Sequence, residues 1–483
     1  MINLNIIYKI IGSLLFIEAA LLAVCLGVAI GYQESDIMAF GVAVAVCAVV
    51  GLVLRLMGRG NDNTLSRRDA YLVVTLAWVV FSLFGTLPFM VSGTITSFTD
   101  AYFETMSGFT TTGATIIDKI DGLPHGLLFW RSLTQWIGGL GIVFFTIALL
   151  PSLVGGSVKV FAAEATGPIK TKLHPRLSTN AKWIWVVYLV ITVLCFGSLC
   201  LAGMDVFDSI NYAMSTAATG GFATTSSLKL FTPTIEYIIM FFCFVSGVNF
   251  TLLYASVSRR SLRTLFGNTE FRFYVWLVVG LSAFISAELV VRNHYPIEHA
   301  VRSAAFHVIS FITTTGLFND NADLWPHVTW VALAVCMFFG ACSGSTSGGL
   351  KCIRGVMLLK MIKNEFKQIL HPNAVLPLRI DGVNVPGNKR LTLLSFLTIY
   401  LILALVCSFT MIAAGIDSTN SITITLSCLG NVGPTLGLEI GPTMSWSILP
   451  AYAKWLCTAL MLIGRLEIFT VLVIFTPEFW REN

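Results

Sequence analysis

Charged side chains are scarce in this chain. Asp, Glu, Lys and Arg make up 11% of its 483 residues, whereas apolar residues make up 56% and the mean hydropathy is +0.82. A soluble globular domain carries about 25% charged residues. The shortage of charged residues is not typical of a soluble protein and predicts an integral membrane protein. The net charge of +5 requires no nucleic-acid partner to explain it.

Motifs for several chemistries are also missing. No glycine-rich phosphate loop occurs, so we expect this chain neither to bind nucleotide nor to hydrolyse ATP. The eleven cysteines show no metal-ligand spacing, and most sit in apolar runs, which is typical of buried thiols in a reducing compartment. The first apolar run is too long for a cleaved secretory signal.

Long apolar runs are the main feature of the sequence. Because Lys and Arg concentrate on cytoplasmic loops, and because most of the 30 Lys and Arg residues fall on the side that holds both ends, the termini are predicted to be cytoplasmic. Ten runs of about 20 residues are long enough to cross a membrane; they lie near 7–31, 38–57, 70–93, 126–152, 181–203, 233–257, 273–292, 326–357, 391–415 and 447–476.

Four of the outer connections share one plan. Each contains a moderately apolar segment that starts near 98, 205, 298 or 417, continues for about 12–15 residues, and stops at a string around a glycine. These segments are too short to cross, so they predict half-helices that enter from outside. The strings lie about 100 residues apart and read Thr111-Thr112-Gly113, Ala218-Thr219-Gly220, Thr314-Thr315-Gly316 and Asn431-Val432-Gly433.

The strings predict a cation pathway. Glycine permits backbone conformations that turn carbonyls inward, and carbonyl rings replace the hydration shell of K+ in channel filters. A half-helix that ends at its string points a partially negative C-terminus at the centre, which favours a cation. One Thr-Thr-Gly alone is more typical of close helix packing. Four at similar spacing favour a shared pore, and the string at Asn431 is the weakest match.

A second glycine-rich segment interrupts the predicted span 326–357. Residues 339–349 hold four glycines and four hydroxyl residues. Because each interior glycine costs a helix about 1 kcal/mol relative to Ala, this run predicts a broken helix with a flexible intramembrane loop. Such backbone must be buried in protein or line a cavity. The alternative is a kinked helix whose small residues only pack.

Arg465 is the basic residue nearest the middle of a predicted span. A guanidinium at the centre of a membrane helix costs about 2.5–3.5 kcal/mol, so it needs a partner or a water-filled cavity. Glu467, two positions later, does not share its helix face. A carbonyl or hydroxyl of the 340–349 loop is therefore the predicted partner. Arg465 is either an electrostatic barrier below the strings or a structural hydrogen-bond hub.

Six motifs are specific in combination. They are residues 107–114 (SGFTTTGA), 135–142 (QWIGGLGI), 220–222 (GGF), 344–351 (GSTSGGLK), 431–434 (NVGP) and 464–467 (GRLE). Together they resemble the Trk/Ktr/HKT superfamily of potassium transporters, and most closely its bacterial TrkH-type uptake subunits. The resemblance extends over essentially the whole chain.

This resemblance implies an all-α integral membrane protein of the bacterial inner (plasma) membrane. It implies four parallel helix–half-helix–helix repeats around a pseudo-fourfold pore, plus two extra N-terminal transmembrane helices. The implied units are 1–62 for the two N-terminal helices, 63–165, 166–265 and 266–372 for the first three repeats, and 373–483 for the fourth.

The resemblance also implies potassium uptake, with K+ as the transported ion and no bound cofactor. The residues of the four strings would form the filter. In the family, Ser in the first string restricts some relatives to Na+, and here all four positions are Gly, which favours K+ with some Na+ leakage. A filter with one reliable glycine per repeat should select K+ less strictly than a tetrameric potassium channel, whose filter strings are longer. The implied gate comprises Gly340, Gly344, Ser345, Thr346, Gly348, Gly349 and Arg465.

Partners are implied in the same way. The family forms homodimers and is regulated by cytosolic nucleotide-binding rings of the TrkA type. The basic segment 351–390 could dock such a ring, or it could satisfy topology and contact anionic membrane lipid. The resemblance favours docking.

Two other classes of function are alternatives to a potassium-conducting subunit. A secondary transporter of organic solutes typically shows inverted repeats and charged groups at the midplane, whereas the repeats here read as parallel. An intramembrane enzyme needs titratable pairs, and the span centres hold few acidic residues apart from Glu288 and Glu467. Channel-like conduction and symport with H+ or Na+ remain open alternatives.

Overall fold

The computed structural model describes residues 2–59, 65–141, 177–225, 232–437 and 445–481. The first half of this chain contains α1 (Leu4–Tyr32), α2 (Ile37–Met57), α3 (Arg67–Phe84), α4 (Leu87–Val91), α5 (Phe98–Phe109), α6 (His125–Leu140), α7 (Leu177–Leu201), α8 (Val206–Ala218), α9 (Pro233–Ser246), α10 (Phe250–Ser258) and α11 (Arg263–Gly267). The second half contains α12 (Thr269–Asn293), α13 (Ile297–Ile312), α14 (His327–Phe338), α15 (Cys352–Leu370), α16 (Gly387–Ala413), α17 (Ser418–Gly430), α18 (Ala451–Arg465), α19 (Phe469–Leu472) and α20 (Pro477–Trp480).

The described residues are mostly helical, as predicted. Short 3₁₀ turns at Ala322–Leu324, Trp446–Ile448 and Val473–Phe475 join helices. The exception to the all-α prediction is a small antiparallel hairpin of β1 (Arg379–Ile380) and β2 (Val383–Asn384). Its residues Ile380 and Val385 pack with Ile353 and Met357 of α15 in a separate small core.

Eight of the ten predicted spans correspond to helical segments that are long and apolar enough to cross a membrane. Six are single segments, formed by α1, α2, α3 with α4, α7, α12 and α16, and two are bent helix pairs. Of the other two predicted spans, 126–152 begins with α6 but runs beyond the described residues after 141. The span 326–357 is broken between α14 and α15, as its glycines predicted.

The bent pairs correct the prediction of continuous spans at 233–257 and 447–476. The chain turns by 96° between α9 and α10, where Asn249 caps α10 by accepting a hydrogen bond from the Leu252 amide at 3.1 Å. It turns by 109° after α18, where Glu467 and Ile468 have positive φ angles. Both turns place polar groups of the break against the 340–349 loop or α15, which periodicity alone could not reveal.

Two large cores hold the helices together. One combines residues of α1 to α6 with residues of α16 to α18, and the other combines residues of α7 to α14. The short helices α5, α8, α13 and α17 lie deep in these cores, and their last turns are fully buried. All four begin within one residue of their predicted starts. Asp205 and Asp417 accept hydrogen bonds from the first amides of α8 and α17, whereas no side chain among the described residues caps α5 or α13.

Candidate functional site: a closed ring of glycine strings

The four short helices end in the same backbone turn. The residue that follows or closes each last turn is left-handed, with φ of 55° at Thr111, 54° at Thr219, 57° at Thr314 and 53° at Asn431. The amide of the next residue returns to a serine carbonyl five positions earlier, at 2.8–2.9 Å, and these serines are Ser107, Ser215, Ser310 and Ser427. This six-to-one bond is the signature of a Schellman helix end.

A glycine of positive φ stands two residues after each left-handed residue. These glycines are Gly113 (80°), Gly221 (84°), Gly316 (76°) and Gly433 (100°). The second string is therefore Thr219-Gly220-Gly221, one residue later than the alignment on Ala218-Thr219-Gly220. Ala218 still belongs to the last turn of α8. We name residues 111–113, 219–221, 314–316 and 431–433 strings 1 to 4.

The strings touch one another in cyclic order. A Cβ atom on the string 1 glycine, Gly113, would overlap the carbonyl oxygen of Gly220 in string 2. Equivalent overlaps would occur between Gly221 and the Thr315 carbonyl, between Gly316 and the Val432 carbonyl, and between Gly433 and the Thr112 carbonyl. Each string thus contacts the next, and the last contacts the first. The ring closes only because no side chain stands at these four positions.

The ring has the electrostatics of a cation site. Four helix C-termini run directly into the strings, and each C-terminus carries about half a negative charge. The main-chain carbonyls at Thr112, Gly220, Thr315 and Val432 lie at the contacts between strings. Hydroxyl groups are concentrated here too, and Thr111, Thr112, Thr314 and Thr315 are completely buried. Carbonyl and hydroxyl oxygens are ligands for hard cations.

Gln135 of α6 supports string 2, the string that lacks a side chain at its middle position. Its Nε2 donates to the Gly220 carbonyl at 2.7 Å, and its Oε1 accepts from Ser215 Oγ and from the Phe222 amide, both at 3.0 Å. A Cβ on Gly220 would overlap the Gln135 side chain. Gln135 therefore occupies the space that Thr112, Thr315 and Val432 fill from within strings 1, 3 and 4.

The 340–349 loop lies directly against the strings. Thr346 Oγ1 donates to the Ala217 carbonyl at 3.1 Å and accepts from Thr219 Oγ1 at 3.3 Å, while the Gly348 amide donates to Thr314 Oγ1 at 2.8 Å. A Cβ on Gly348 would overlap the Gly430 carbonyl at the end of α17. The loop thus contacts the ends of three of the four short helices. These contacts lie on the side of the ring where the left-handed residues of the strings stand.

Polar side chains hold this loop in place. Glu270 at the start of α12 accepts from the amides of Ser343 at 2.6 Å and Ile353 at 3.0 Å. Asn249, at the bend between α9 and α10, donates to the Ser343 carbonyl at 2.5 Å. Both ends of the broken helix are therefore tied to the middle of the chain, and the interruption is a defined structure.

Arg465 joins the loop to α6. Its Nη1 donates to the Thr346 carbonyl at 2.9 Å, which confirms the predicted partner in the 340–349 loop. Its Nη2 donates to the carbonyls of Gly138 and Gly139, each at 2.6 Å, a contact that the sequence did not predict. Glu467 lies beyond the end of α18, in the bend, and pairs instead with Arg354 of α15. The guanidinium thus bridges the loop and the C-terminal end of α6.

Comparison with known proteins identifies the family of this chain. Residues 36–482 match the family model described as "TrkH: Cation transport protein". The chain belongs to the TrkH family of cation transport proteins. The predicted resemblance is thereby confirmed, and the family is one of transporters, as opposed to enzymes.

Curated TrkH relatives match from end to end. The chain is 37% identical to the "Trk system potassium uptake protein TrkH" of Escherichia coli K12 over 481 residues, covering 99% of both chains. It is 36% identical to the TrkH protein of Halomonas elongata, covering 99% of this chain and all of the relative. The crystal structure of the potassium transporter TrkH from Vibrio parahaemolyticus superposes with a TM-score of 0.88 at 33% identity, covering 99% of each chain.

Buried ion pairs tie neighbouring parts of this TrkH-family ring together, and the sequence did not predict them. Arg131 of α6 pairs with Glu104 of α5 at 3.0 Å, and both side chains are almost fully buried. Arg131 also donates to the Ala223 carbonyl just after string 2. Since breaking a buried pair leaves an uncompensated charge, this contact fixes string 1 relative to string 2.

The connections that follow strings 1 and 3 are anchored in the same manner. The Trp446 amide donates to the Thr115 carbonyl at 2.9 Å, and Ser447 Oγ donates to Asp118 at 2.8 Å. Hydrogen bonds from Ser447 and then Ser445 hold the pKa of the Asp118 carboxyl below its usual range. After string 3, Asn319 donates to Glu236 of α9 at 2.7 Å. The connections that follow these strings are therefore held together by contacts between distant segments.

The sequence pattern did not single out one buried carboxyl group. Glu18 of α1 is completely buried within the first predicted span, although only Glu288 and Glu467 were named as acidic span residues.

The described ranges contain no group of three or more His, Cys, Asp or Glu side chains arranged to hold a metal ion. At the ring itself, the polar groups that the strings bring together are main-chain carbonyls and threonine hydroxyls.

Proposed function

We propose that this chain takes up potassium across the inner membrane of a bacterium, with K+ passing through the ring of strings 1 to 4. The observation that carries the proposal is the cyclic contact of four glycines with four carbonyls at the ends of four converging helices. The printed names of its relatives, potassium uptake proteins, agree with this function. K+ is the transported ion and no other cofactor is required.

The proposed architecture has four parallel repeats around one pore. Residues 1–62 form two additional helices, and the repeats comprise 63–165, 166–265, 266–372 and 373–483. The recurrence of the same helix end four times, each between a preceding and a following apolar helix, supports this division. Both termini are cytoplasmic, because most Lys and Arg residues then lie inside.

The proposed filter binds the ion through the oxygens of Thr111 and Thr112 in string 1 and the corresponding residues of the others. In string 2 these are Thr219 and Gly220, with Ala218 preceding them, in string 3 Thr314 and Thr315, and in string 4 Asn431 and Val432. Each string contributes one main-chain carbonyl at a contact with its neighbour. A filter this short should select K+ over Na+ less strictly than one with several stacked carbonyl rings.

The proposed gate is the 340–349 loop together with Arg465. Four of its positions, Gly340, Gly344, Gly348 and Gly349, are glycine, and Gly344 and Gly349 have positive φ angles. Ser345 and Ser347 hydrogen-bond to each other at 2.8 Å within the loop. A loop that hydrogen-bonds to the ends of α8 and to string 3 obstructs the route below the ring, so its displacement would open the path.

The proposed regulator is a cytosolic nucleotide-binding ring, and the transporter acts as a homodimer. α15 continues directly from the loop, and it exposes Leu359, Ile362 and Phe366 alongside the basic residues Lys363 and Lys367. Such a surface suits a protein partner, with anionic lipid as the alternative. A partner that moves α15 would pull on the gate through Lys351, whose amino group donates to the Ser347 carbonyl.

Potassium flux into vesicles tests the proposed function. Purified protein reconstituted into vesicles should carry K+ down its gradient faster than Na+, and protein-free vesicles should not. Repeating the measurement with an imposed pH or Na+ gradient separates channel-like conduction from symport, since only a symporter drives K+ uphill. Equal rates for K+ and for an organic cation of similar charge would refute a K+ filter.

Gln135 provides a further prediction. Replacing Gln135 with Leu removes the donor to the Gly220 carbonyl and leaves the Phe222 amide without its acceptor; an unsatisfied buried group costs about 1–3 kcal/mol. We expect about a tenfold fall in K+ flux and a lower K+/Na+ ratio, measured in vesicles. Asn211→Leu is the control, because the Asn211 amide bonds only within α8, to the Phe207 carbonyl. Equal effects of both substitutions would contradict a role for Gln135 in string 2.

A further inference from the structure

A cavity of about 630 Å³ opens between α1 and α2, away from the ring. It lies at the end where α1 begins and α2 finishes. Among the residues that the structure describes, its lining comprises the basic residues Lys9, Arg55 and Arg59, the apolar residues Phe16, Leu52 and Leu56, and Gly58, with no acidic residue.

Close helix packing creates this cavity. α1 and α2 approach so tightly that a Cβ on Gly12 would press against the Gly51 carbonyl, and a Cβ on Gly58 would press against the backbone of Asn5 and Lys9. Because these contacts involve backbone, the larger side chains are displaced to the sides of the helix pair. Arg55, in the last turn of α2, and Arg59, just beyond it, then stand beside Lys9 around an open space.

The cavity has a charged end and an apolar end. Phe16 lies about 10 Å further along α1 than Lys9, at about 1.5 Å per helical residue. Leu52 and Leu56 are 50% and 43% exposed, so the apolar end is open to the surface where lipid chains lie around a membrane helix. Arg55 and Arg59 are exposed, and neither forms an ion pair with an acidic residue in the part of the chain that the structure describes.

We propose that this cavity is a binding site for an anionic phospholipid. The phosphate headgroup binds between Arg55, Arg59 and Lys9, and one acyl chain lies along Phe16, Leu52 and Leu56. Guanidinium groups bind phosphate oxygens through paired hydrogen bonds, and basic pockets between membrane helices recognise anionic headgroups. A free phosphate ion would use only the charged end, so the apolar end favours a lipid.

Lipid retention by the full-length protein tests this proposal. The protein is placed in nanodiscs that contain a fixed fraction of phosphatidylglycerol in phosphatidylcholine, extracted into detergent, and the bound phosphatidylglycerol per chain is measured by mass spectrometry. The wild-type chain should retain one tightly bound molecule. The double variant R55Q/R59Q should lose it, with an affinity roughly thirtyfold weaker. The double variant R259Q/R263Q removes two exposed arginines elsewhere and should retain the lipid.

Further arms identify the ligand. Leu52→Ala together with Leu56→Ala should weaken retention while leaving all charges in place, and inorganic phosphate or acyl-free glycerophosphoglycerol should compete poorly. Retention by R55Q/R59Q equal to wild type would overturn the site. Equal retention of phosphatidylcholine, or full competition by inorganic phosphate, would overturn the anionic-lipid assignment. All variants are first checked for an unchanged elution profile and melting temperature, and a variant that misfolds is replaced by the single variant Arg59→Gln, held to the same outcomes.

Discussion

Gly113→Ser is expected to reduce K+ flux at least tenfold and to shift the residual permeation towards Na+. Two costs combine at this position. Its φ of 80° is disfavoured for a residue with a Cβ, which costs about 1–3 kcal/mol, and the Cβ would also overlap the Gly220 carbonyl. The nearest way to relieve the overlap is to move that carbonyl, which changes the ring itself. K+ and Na+ fluxes in vesicles, normalised to folded protein, measure both effects.

Gly93→Ser is the matched control. Gly93 has a similar φ of 74° and lies in the connection between α4 and α5, where an added Cβ would meet nothing within 4 Å. It therefore carries the backbone strain without the contact between strings. An unchanged K+/Na+ ratio in the Gly113 variant, or the same loss in both variants, would reject string 1 as part of the filter.

Arg465→Ala is expected to increase conduction by more than a hundredfold. A fixed positive charge about 6 Å from a K+ ion opposes its passage by about 3 kcal/mol at an effective dielectric constant of about 20. The substitution also removes the hydrogen bonds that connect the Thr346 carbonyl to Gly138 and Gly139. Both changes favour an open path, and flux per folded protein in vesicles measures their sum.

Arg465→Lys separates the two contributions. Lys keeps the charge, but its single ammonium cannot reproduce the planar fork that reaches three carbonyls. Flux near the wild-type value in the Lys variant would identify the charge as the barrier, whereas flux near that of the Ala variant would identify the hydrogen-bonded bridge. Arg292→Ala removes an exposed arginine paired with Glu288 within α12 and serves as the control. Lower normalised flux in Arg465→Ala would instead assign Arg465 a purely structural role.

Local signals predicted much of the fold. Runs of apolar residues located the long helices, and Asp205 and Asp417 marked the starts of α8 and α17 because a carboxylate satisfies the free amides of a first turn. The four glycines of the 340–349 loop predicted the break between α14 and α15. Each of these features depends on residues that are close together in the chain.

The register of string 2 could have been predicted but was not. Matching on a glycine after two small residues selected Gly220. The pattern Ser, three residues, Thr or Asn, one residue, Gly fits Ser107 with Gly113, Ser215 with Gly221, Ser310 with Gly316 and Ser427 with Gly433. That longer pattern follows the Schellman bond and would have selected Gly221.

Other contacts were beyond sequence reasoning. The Arg465 guanidinium reaches Gly138 and Gly139, more than 320 positions earlier in the chain, and Gln135 reaches Gly220 on the next short helix. Nothing in the local pattern of either residue specifies which distant carbonyl it meets. The 96° and 109° bends likewise depend on which helices surround them.

The ring joins four strings that differ in sequence yet belong to one polypeptide. In an assembly of four identical subunits, one gene substitution alters every corner of the ring together. Here each string is encoded by a different part of one gene, so each can change alone. String 2 combines Gly220 with Gln135, and in string 4 the Asn431 side chain donates a hydrogen bond from Nδ2 to Thr112 Oγ1. Ion preference in such a protein can therefore change one string at a time. A second mutation at the supporting side chain can compensate a change in one string while the other three strings stay as they were.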